Sequence, residues 1–291
     1  MLVAPVLWST AGVVTRHLQA APAFEQVFWR SLFCLVFVSA FLLFKKASFS
    51  KAFQKPALFS GAMWAVMFTA FVFALAFTST ANTLVVMSIS PVLTALAAWL
   101  VLKEPVPLRT TLAAVAAAAG ILWMTAGNIE SLSARDITGM LFALMVPVAA
   151  AANFVTLRAV ARRTEGPRVD LVPAVMTGAL FSCLLALPFA APFQATGRDV
   201  ALLAFLGFLQ LGVPCMLMVV ASRVLRPPEL ALLALLEVVL GVLWTWLWGG
   251  ETPSASTLLG GSVVLAALIF NELAGFRGIL RAKLSATRIS G

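Results

Sequence analysis

Charged residues in this sequence occur in short clusters that separate long apolar runs, and this spacing constrains the fold more than any other feature. Only 11% of the 291 residues are charged, whereas 62% are hydrophobic. The apolar runs are about 20 residues long, which is the length of an α-helix that crosses the hydrocarbon core of a bilayer. Backbone N–H and C=O groups in hydrocarbon must be paired inside the protein, so we expect these runs to be helices. The chain is predicted to be an all-α polytopic membrane protein.

Proline, glycine, asparagine and charge clusters divide the chain into ten runs of this kind. Residues 1–20 lack the charged start and the cleavage site of a secretory signal peptide, so we expect the first run to remain in the protein. The predicted transmembrane helices are 3–20, 24–44, 57–78, 81–102, 107–126, 138–161, 170–191, 199–221, 228–249 and 254–275.

The distribution of lysine and arginine gives the predicted orientation. If the N-terminus is cytoplasmic, 16 of the 20 basic residues fall in cytoplasmic segments. Basic residues accumulate on the cytoplasmic side of membrane proteins, so this bias favours an even number of spans with both termini in the cytoplasm. We expect a multi-pass protein of a cell inner membrane, in which the excess of positive charge, +9 overall, meets lipid headgroups.

The two halves of the chain resemble each other at an offset of 147 residues. This offset places residues 89–100 on residues 236–247 and Lys103-Glu104-Pro105 on Gly250-Glu251-Thr252. Five spans per copy is an odd number, so the second copy would enter the membrane in the opposite orientation, as in transporters with inverted repeats. We predict a first repeat over 1–127, an inverted second repeat over 128–276 and a basic cytoplasmic tail over 277–291.

Short motifs along the whole chain carry a resemblance to a known family. They are Leu7-Trp8-Ser9-Thr10, Phe28-Trp29-Arg30, Ser90-Pro91, Lys103-Glu104-Pro105, Glu237 and Gly250-Glu251-Thr252. The chain resembles the EamA-domain branch of the drug/metabolite transporter superfamily, and the Leu-Trp-Ser-Thr stretch is similar to YddG-type amino-acid exporters.

The resemblance implies secondary transport by alternating access, with a cavity surrounded by the first, third, fourth, sixth, eighth and ninth spans. It also implies that Trp8 and Trp244 line an apolar side-chain pocket. Other rings at a similar level, Trp64, Phe68 and Phe71 among them, are expected to face lipid or core. The family usually has a proline where Val238 stands, so the resemblance leaves a helix break at that point open.

Glu237 lies near the middle of the predicted ninth span, where a carboxyl group costs about 2.5 kcal/mol or more on insertion scales. Intramembrane ionisable groups commonly mark a substrate or ion pathway, so we expect Glu237 to receive a substrate ammonium group or to titrate during transport. The alternative is a neutral side chain that stabilises a helix contact.

Arg30 lies about 9 Å into the second span, at the rise of an α-helix. If the guanidinium faces the cavity, its fork of donors can bind a substrate carboxylate and so complement Glu237 for a zwitterion. The alternative is that Arg30 extends to the outer headgroups, as long basic side chains do near helix ends.

Further candidates lie at similar depth. Ser9, Ser90, Asn153 and Gln210 are predicted to bind substrate or, alternatively, neighbouring helices. Mid-span prolines free backbone carbonyls and suit bendable gating helices, although they are also common in ordinary spans; the candidates are Pro91, Pro147 and Pro214. The alanine run 113–119 and Gly260-Gly261 predict close packing of the fifth and tenth spans.

Other classes of function fit the sequence less well. The single histidine, His17, has no carboxylate or cysteine beside it, and the three cysteines are scattered in apolar runs, so we expect no metal site. Neither a nucleotide-binding loop nor an aromatic-interleaved basic face occurs, so we expect no cofactor and no nucleic-acid partner. We predict an exporter of aromatic or other neutral amino acids or similar small metabolites. A broad drug exporter, a lipid-modifying enzyme and a channel are the alternatives, and the sequence leaves the oligomeric state open, a monomer included.

Overall fold

A computed structural model describes residues 1–15, 17–47, 49–78, 80–125, 133–162, 170–249 and 255–289. The described residues form α1 Val3–Trp8, α2 Ala11–Thr15, α3 Ala23–Phe44, α4 Lys55–Phe77, α5 Thr80–Met87, α6 Ser90–Ala97, α7 Leu108–Thr125, α8 Ala134–Ala161, α9 Val172–Ala190, α10 Gly197–Phe205, α11 Val213–Ala221, α12 Pro227–Ala234, α13 Leu236–Gly249 and α14 Ala255–Ile289. Two π-helical segments, Ala98–Leu102 and Leu206–Gly212, and a short 3-10 helix, Phe49–Phe53, complete the secondary structure. The described part of the chain contains no strand, so the all-α prediction is confirmed.

Six helical stretches are long and apolar enough to cross a membrane: Ala23–Phe44, Lys55–Phe77, Ala134–Ala161, Val172–Ala190, Gly197–Ala221 and Pro227–Trp248. Four shorter apolar helices accompany them: Val3–Thr15, Ser90–Leu102, Leu108–Trp123 and Ala255–Asn271. The chain is therefore a membrane protein with multiple spans, while the count of ten spans, the inverted repeat and the cytoplasmic termini stay predictions.

Some helix ends differ from the predicted boundaries for local reasons. The first helical stretch ends at Thr15 rather than at 20, because the carboxylate of Asp199 accepts hydrogen bonds from the backbone N–H groups of Gln19 and Ala20, at 2.8 and 3.2 Å. Helix α8 begins four residues early, because Ser133 and Asp136 form a capping box at its start. Helix α14 continues through the predicted tail to Ile289.

The largest hydrophobic core lies where α3, α4, α8, α9 and α11 meet. Trp64 of α4, Leu157 of α8 and Met218 of α11 are almost wholly buried in it. Helices α4 and α9 approach closely because Gly178 faces Trp64, where a Cβ on the glycine would lie 2.5 Å from the Trp64 Cβ. Small residues thus allow backbone contact between these membrane helices.

Helices α7 and α14 pack against each other along the alanine run 113–119. Ala113, Ala114 and Ala117 are buried in one cluster with Val264. A Cβ at Gly120 would lie 2.7 Å from the Gly260 carbonyl oxygen, so the two backbones are in direct contact. The prediction of close packing at these two segments is confirmed, and the structure adds that they pack on each other.

Ion pairs gather at one end of the helix bundle, which we call the ion-pair end. Glu104 pairs with Arg158 at 3.3 Å and with Arg162 at 2.7 Å, Arg109 with Glu229 at 3.4 Å, and Asp170 with Arg223 at 2.7 Å. Both partners of Glu104 come from the end of α8. Its predicted counterpart, Glu251, lies outside the described residues.

Hydrogen-bonded carboxylates organise the opposite end of the bundle. Glu25 at the start of α3 is fully buried and accepts hydrogen bonds from the backbone N–H groups of Gln194 and Ala195, at 2.8 and 2.9 Å. Thr78, which follows α4, donates to Asp136 at the start of α8 at 2.9 Å. This contact shows that α4 and α8 run antiparallel, with their other ends at the ion-pair end.

Candidate functional site

A cavity of about 310 Å³ lies among the helices, which is within the size range of small-molecule sites. Its walls are mainly apolar and aromatic, with contributions from Trp8, Trp64, Met67, Phe68, Phe71 and Phe154. Leu75 in the last turn of α4 and Thr257 in the first turn of α14 also line it. The cavity therefore extends towards the end of the bundle that lies opposite the ion pairs.

The polar side chains of the cavity lie where helices are interrupted. Ser9 follows the last residue of α1, and Ser90 begins α6 after the break from α5. Gln210 lies in the π-helical segment before α11, and Glu237 lies in the first turn of α13. Irregular backbone at membrane depth is tolerated where it is buried in protein or lines a cavity, and transporters commonly place their sites at such breaks.

The breaks in the two halves have different local causes. Between α5 and α6, Pro91 lacks a backbone N–H, and Ile89 donates to the carbonyl of Val86 at 3.4 Å. Between α12 and α13 there is no proline, yet Leu235 and Val238 both donate to the carbonyl three residues earlier, at 3.1 and 3.0 Å. A tight 3-10 turn thus interrupts this span although Val238 stands where the family usually has proline.

Arg30 lies in the cavity wall and not at the headgroups. Arg30 is only 3% exposed, and its Nη2 donates a hydrogen bond to Oε1 of Gln210 at 2.7 Å. Its Nε and Nη1 have no hydrogen-bond partner among the described residues. The alternative of an extended, headgroup-facing arginine is wrong, and the guanidinium retains donors for an acceptor in the cavity.

Gln210 connects Arg30 with the first helical stretch. Its Nε2 approaches the carbonyl oxygen of Trp8 at 3.5 Å, at the long limit of a hydrogen bond. The π-helical segment that carries Gln210 packs tightly on α3, where a Cβ at Gly207 would lie 2.6 Å from the Arg30 carbonyl oxygen. This close approach brings the amide within reach of the guanidinium, and π-helical turns frequently occur at functional sites.

Glu237 lines the same cavity as Arg30 but does not pair with it. Among the described residues, no ion pair or hydrogen bond of the Glu237 carboxyl group is present. The cavity therefore carries one cationic and one acidic side chain, each able to interact with a bound molecule.

Ser9 and Trp244 form one hydrogen-bonded unit. The Ser9 hydroxyl donates to the carbonyl of Val6 at 2.7 Å and accepts a hydrogen bond from Nε1 of Trp244 at the same distance. Ser9 lines the cavity, whereas Trp244 is not among the residues that do, and its ring lies 5.0 Å from that of Trp248. Trp244 thus orients Ser9. The cavity is instead lined by Trp64, Phe68 and Phe71, which we expected to face lipid or core.

Asn153 is fully buried behind the cavity wall. Its Oδ1 accepts a hydrogen bond from Ser60 at 2.6 Å, so it joins α8 to α4 in the manner that we gave as the alternative to substrate binding. Pro91 and Pro214 lie at the starts of α6 and α11, next to interruptions, but α8 continues through Pro147 without a change of helix type.

The described residues contain no group of three histidine, cysteine or acidic side chains that could hold a metal ion. Cys34, Cys183 and Cys215 are buried free thiols, as their positions in apolar runs indicated. His17 is exposed, and its Nδ1 lies 2.9 Å from the carbonyl oxygen of Val13.

The comparison with family profiles identifies the class of protein. The profile of the EamA-like transporter family matches residues 1–126 and 137–272. This chain belongs to the EamA-like transporter family. It is therefore a membrane transporter of the drug/metabolite transporter superfamily.

The fold of this chain also occurs in solved structures of other proteins. Among them, 29 chains match. One, a crystal structure of another protein, is 19% identical, covers 94% of this chain and 96% of its own, and superposes with a TM-score of 0.79. None of the curated proteins matches the sequence.

Proposed function

We propose that this EamA-family transporter exports neutral amino acids, aromatic ones among them, across an inner membrane. The observation that carries the proposal is that Arg30 and Glu237 line one cavity without pairing with each other. A zwitterion has a carboxylate for the guanidinium and an ammonium group for the carboxylate, so both side chains gain a charged partner when it binds.

The rest of the cavity suits the remainder of such a substrate. Trp8, Phe68 and Phe71 offer apolar surface to a side chain, while the hydroxyl groups of Ser9 and Ser90 offer hydrogen bonds to its polar end. The similarity of Leu7-Trp8-Ser9-Thr10 to YddG-type amino-acid exporters supports the same substrate class.

We propose that transport proceeds by alternating access between two inverted five-helix repeats. Two helices support the duplication, since Thr80–Met87 and Pro227–Ala234 are related by the offset of 147 residues at both of their ends. With cytoplasmic termini, the ion-pair end would face the cytoplasm, and the end with Leu75 and Thr257 would face outside. This conformation would then be outward-open, with the ion pairs closing the cytoplasmic side.

A broad drug or metabolite exporter is the second candidate, because the aromatic rings around the cavity would also accept planar cations. Counterflow in proteoliposomes separates the two functions. Purified protein is given labelled aromatic, aliphatic and hydroxyl amino acids and, in parallel, cationic dyes. Saturable amino-acid flux with cross-competition supports the proposal, and dye flux without amino-acid flux contradicts it.

Two substitutions test the assigned charges in the same assay. Glu237→Gln keeps the shape of the side chain and removes its charge, and Arg30→Lys keeps the charge and removes the fork. We expect each to lower amino-acid flux at least about tenfold, given about 1.5–3 kcal/mol for hydrogen bonds to charged groups. The matched control is Arg198→Lys, at an exposed position outside the cavity, which should retain most of the flux. Near-normal flux in the two cavity variants would refute the assignment.

A further inference from the structure

Equivalent residues of the two halves line the cavity in pairs. At the offset of 147 residues, Leu84 corresponds to Ala231 and Met87 to Ala234, and all four contact the cavity. The same offset pairs Ser90 with Glu237, and these two residues also line it. Under the proposed duplication, both copies of one stretch contribute to the site, with a hydroxyl group in one copy where the other has a carboxyl group.

Ser90 and Glu237 also have the same local setting. Ser90 is the first residue of α6, and Glu237 lies in the first turn of α13, each directly after a helix interruption. Both side chains are partly exposed. Among the described residues, neither the Ser90 hydroxyl nor the Glu237 carboxyl group has a hydrogen-bond partner within the protein. Each is therefore available to a bound molecule.

We propose that Ser90 is a specificity-determining residue and that the charge at positions 90 and 237 together sets the net charge of the substrate. This inference rests on the proposed function. With Glu237 ionised, Arg30 and Glu237 give the cavity a net charge of zero, which matches a zwitterion with a neutral side chain. A serine at position 90 keeps that balance. An acidic residue there would favour a substrate with one more positive charge, and a basic residue would favour a substrate with one more negative charge.

The backbone at position 90 suits such a change. An acidic side chain in the first turn of a helix is stabilised by the helix dipole. Ser90→Glu would place a second carboxylate in the cavity, so an amino acid with an additional side-chain ammonium group, such as lysine, would restore neutrality. Ser90→Lys would favour an additional carboxylate, as in glutamate.

The experiment measures counterflow of leucine, lysine and glutamate by the wild-type protein, Ser90→Glu, Ser90→Lys and the uncharged control Ser90→Gln. We expect Ser90→Glu to raise the ratio of lysine to leucine flux at least about tenfold, since one charge pair at an effective dielectric constant of about 20 is worth more than that factor. Ser90→Lys should raise the ratio of glutamate to leucine flux in the same way, and Ser90→Gln should alter neither ratio.

Equal ratios in the charged variants and in Ser90→Gln would overturn the inference, because position 90 would then act through size alone. The two charged variants are expected to shift the substrate preference in opposite directions, so either variant that folds tests the inference. Thermal stabilisation in detergent by lysine or by glutamate measures binding independently of flux. Absence of leucine flux in the wild-type protein would instead contradict the proposed function itself.

Discussion

The hydrogen bond between Gln210 and Arg30 should contribute measurably to the stability of the fold. The two side chains meet at 2.7 Å, and the Arg30 residue is 3% exposed. In Gln210→Leu the guanidinium would lose its acceptor while remaining buried. Hydrogen bonds to charged groups contribute about 1.5–3 kcal/mol, and a buried charge without a partner is costlier than a pair of apolar groups. We expect Gln210→Leu to lower the free energy of unfolding by about 2–3 kcal/mol.

A double variant separates this effect from a simple change of packing. Arg30→Met together with Gln210→Leu removes both polar groups, and replacing both partners by apolar groups of similar shape is nearly neutral. The double variant should therefore be more stable than Gln210→Leu alone, with a coupling free energy of at least about 1 kcal/mol.

The assay is unfolding of the purified protein in mixed micelles by SDS titration, followed by tryptophan fluorescence. Gln194→Leu, at an exposed position, is the matched control. The reasoning fails if Gln210→Leu is no less stable than Gln194→Leu, or if the losses of the two single variants simply add in the double variant.

Two further predictions concern packing and loops. Gly178→Ala should lower the free energy of unfolding by about 1–3 kcal/mol, the usual range for overpacking, because the new Cβ would lie 2.5 Å from the Trp64 Cβ. The control Gly12→Ala should leave the free energy of unfolding unchanged, because nothing lies within 4 Å of its new Cβ. Thermal denaturation compares the two variants. Asp199→Ala should increase hydrogen exchange at the backbone amide of Gln19, which loses its acceptor at 2.8 Å. Unchanged exchange there would show that the loop is held by other contacts.

The charged residues of the site could be predicted from sequence because a charge inside an apolar run is conspicuous. Arg30 and Glu237 were found in this way, and the structure places both at one cavity. The partner of Arg30 was less evident. Gln210 was a candidate site residue because of its depth in the predicted span. It lies 180 residues from Arg30 along the chain, so no local pattern indicates that it binds the guanidinium.

The aromatic walls and the helix breaks required the structure. Trp64, Phe68 and Phe71 lie in a helix that is apolar on every side, so periodicity gives no preferred face, and only packing shows that they meet the cavity. The interruption before Glu237 lacks the proline that usually marks such a site. By contrast, close packing at both α7 and α14 could be predicted because runs of small residues are a direct signal of close helix contact, although the sequence did not show that these two helices pack on each other.

The measurement that tests the central claim most directly is isothermal titration calorimetry with a substrate and with an analogue that lacks one charged group. Wild-type protein and Arg30→Met are titrated with phenylalanine and with phenylalanine amide, which lacks the carboxylate. If Arg30 binds that group, the wild-type protein should prefer the amino acid at least about tenfold, as for one hydrogen bond to a charged group, and Arg30→Met should lose this preference. An equal preference in both proteins, or none in the wild type, would contradict the account.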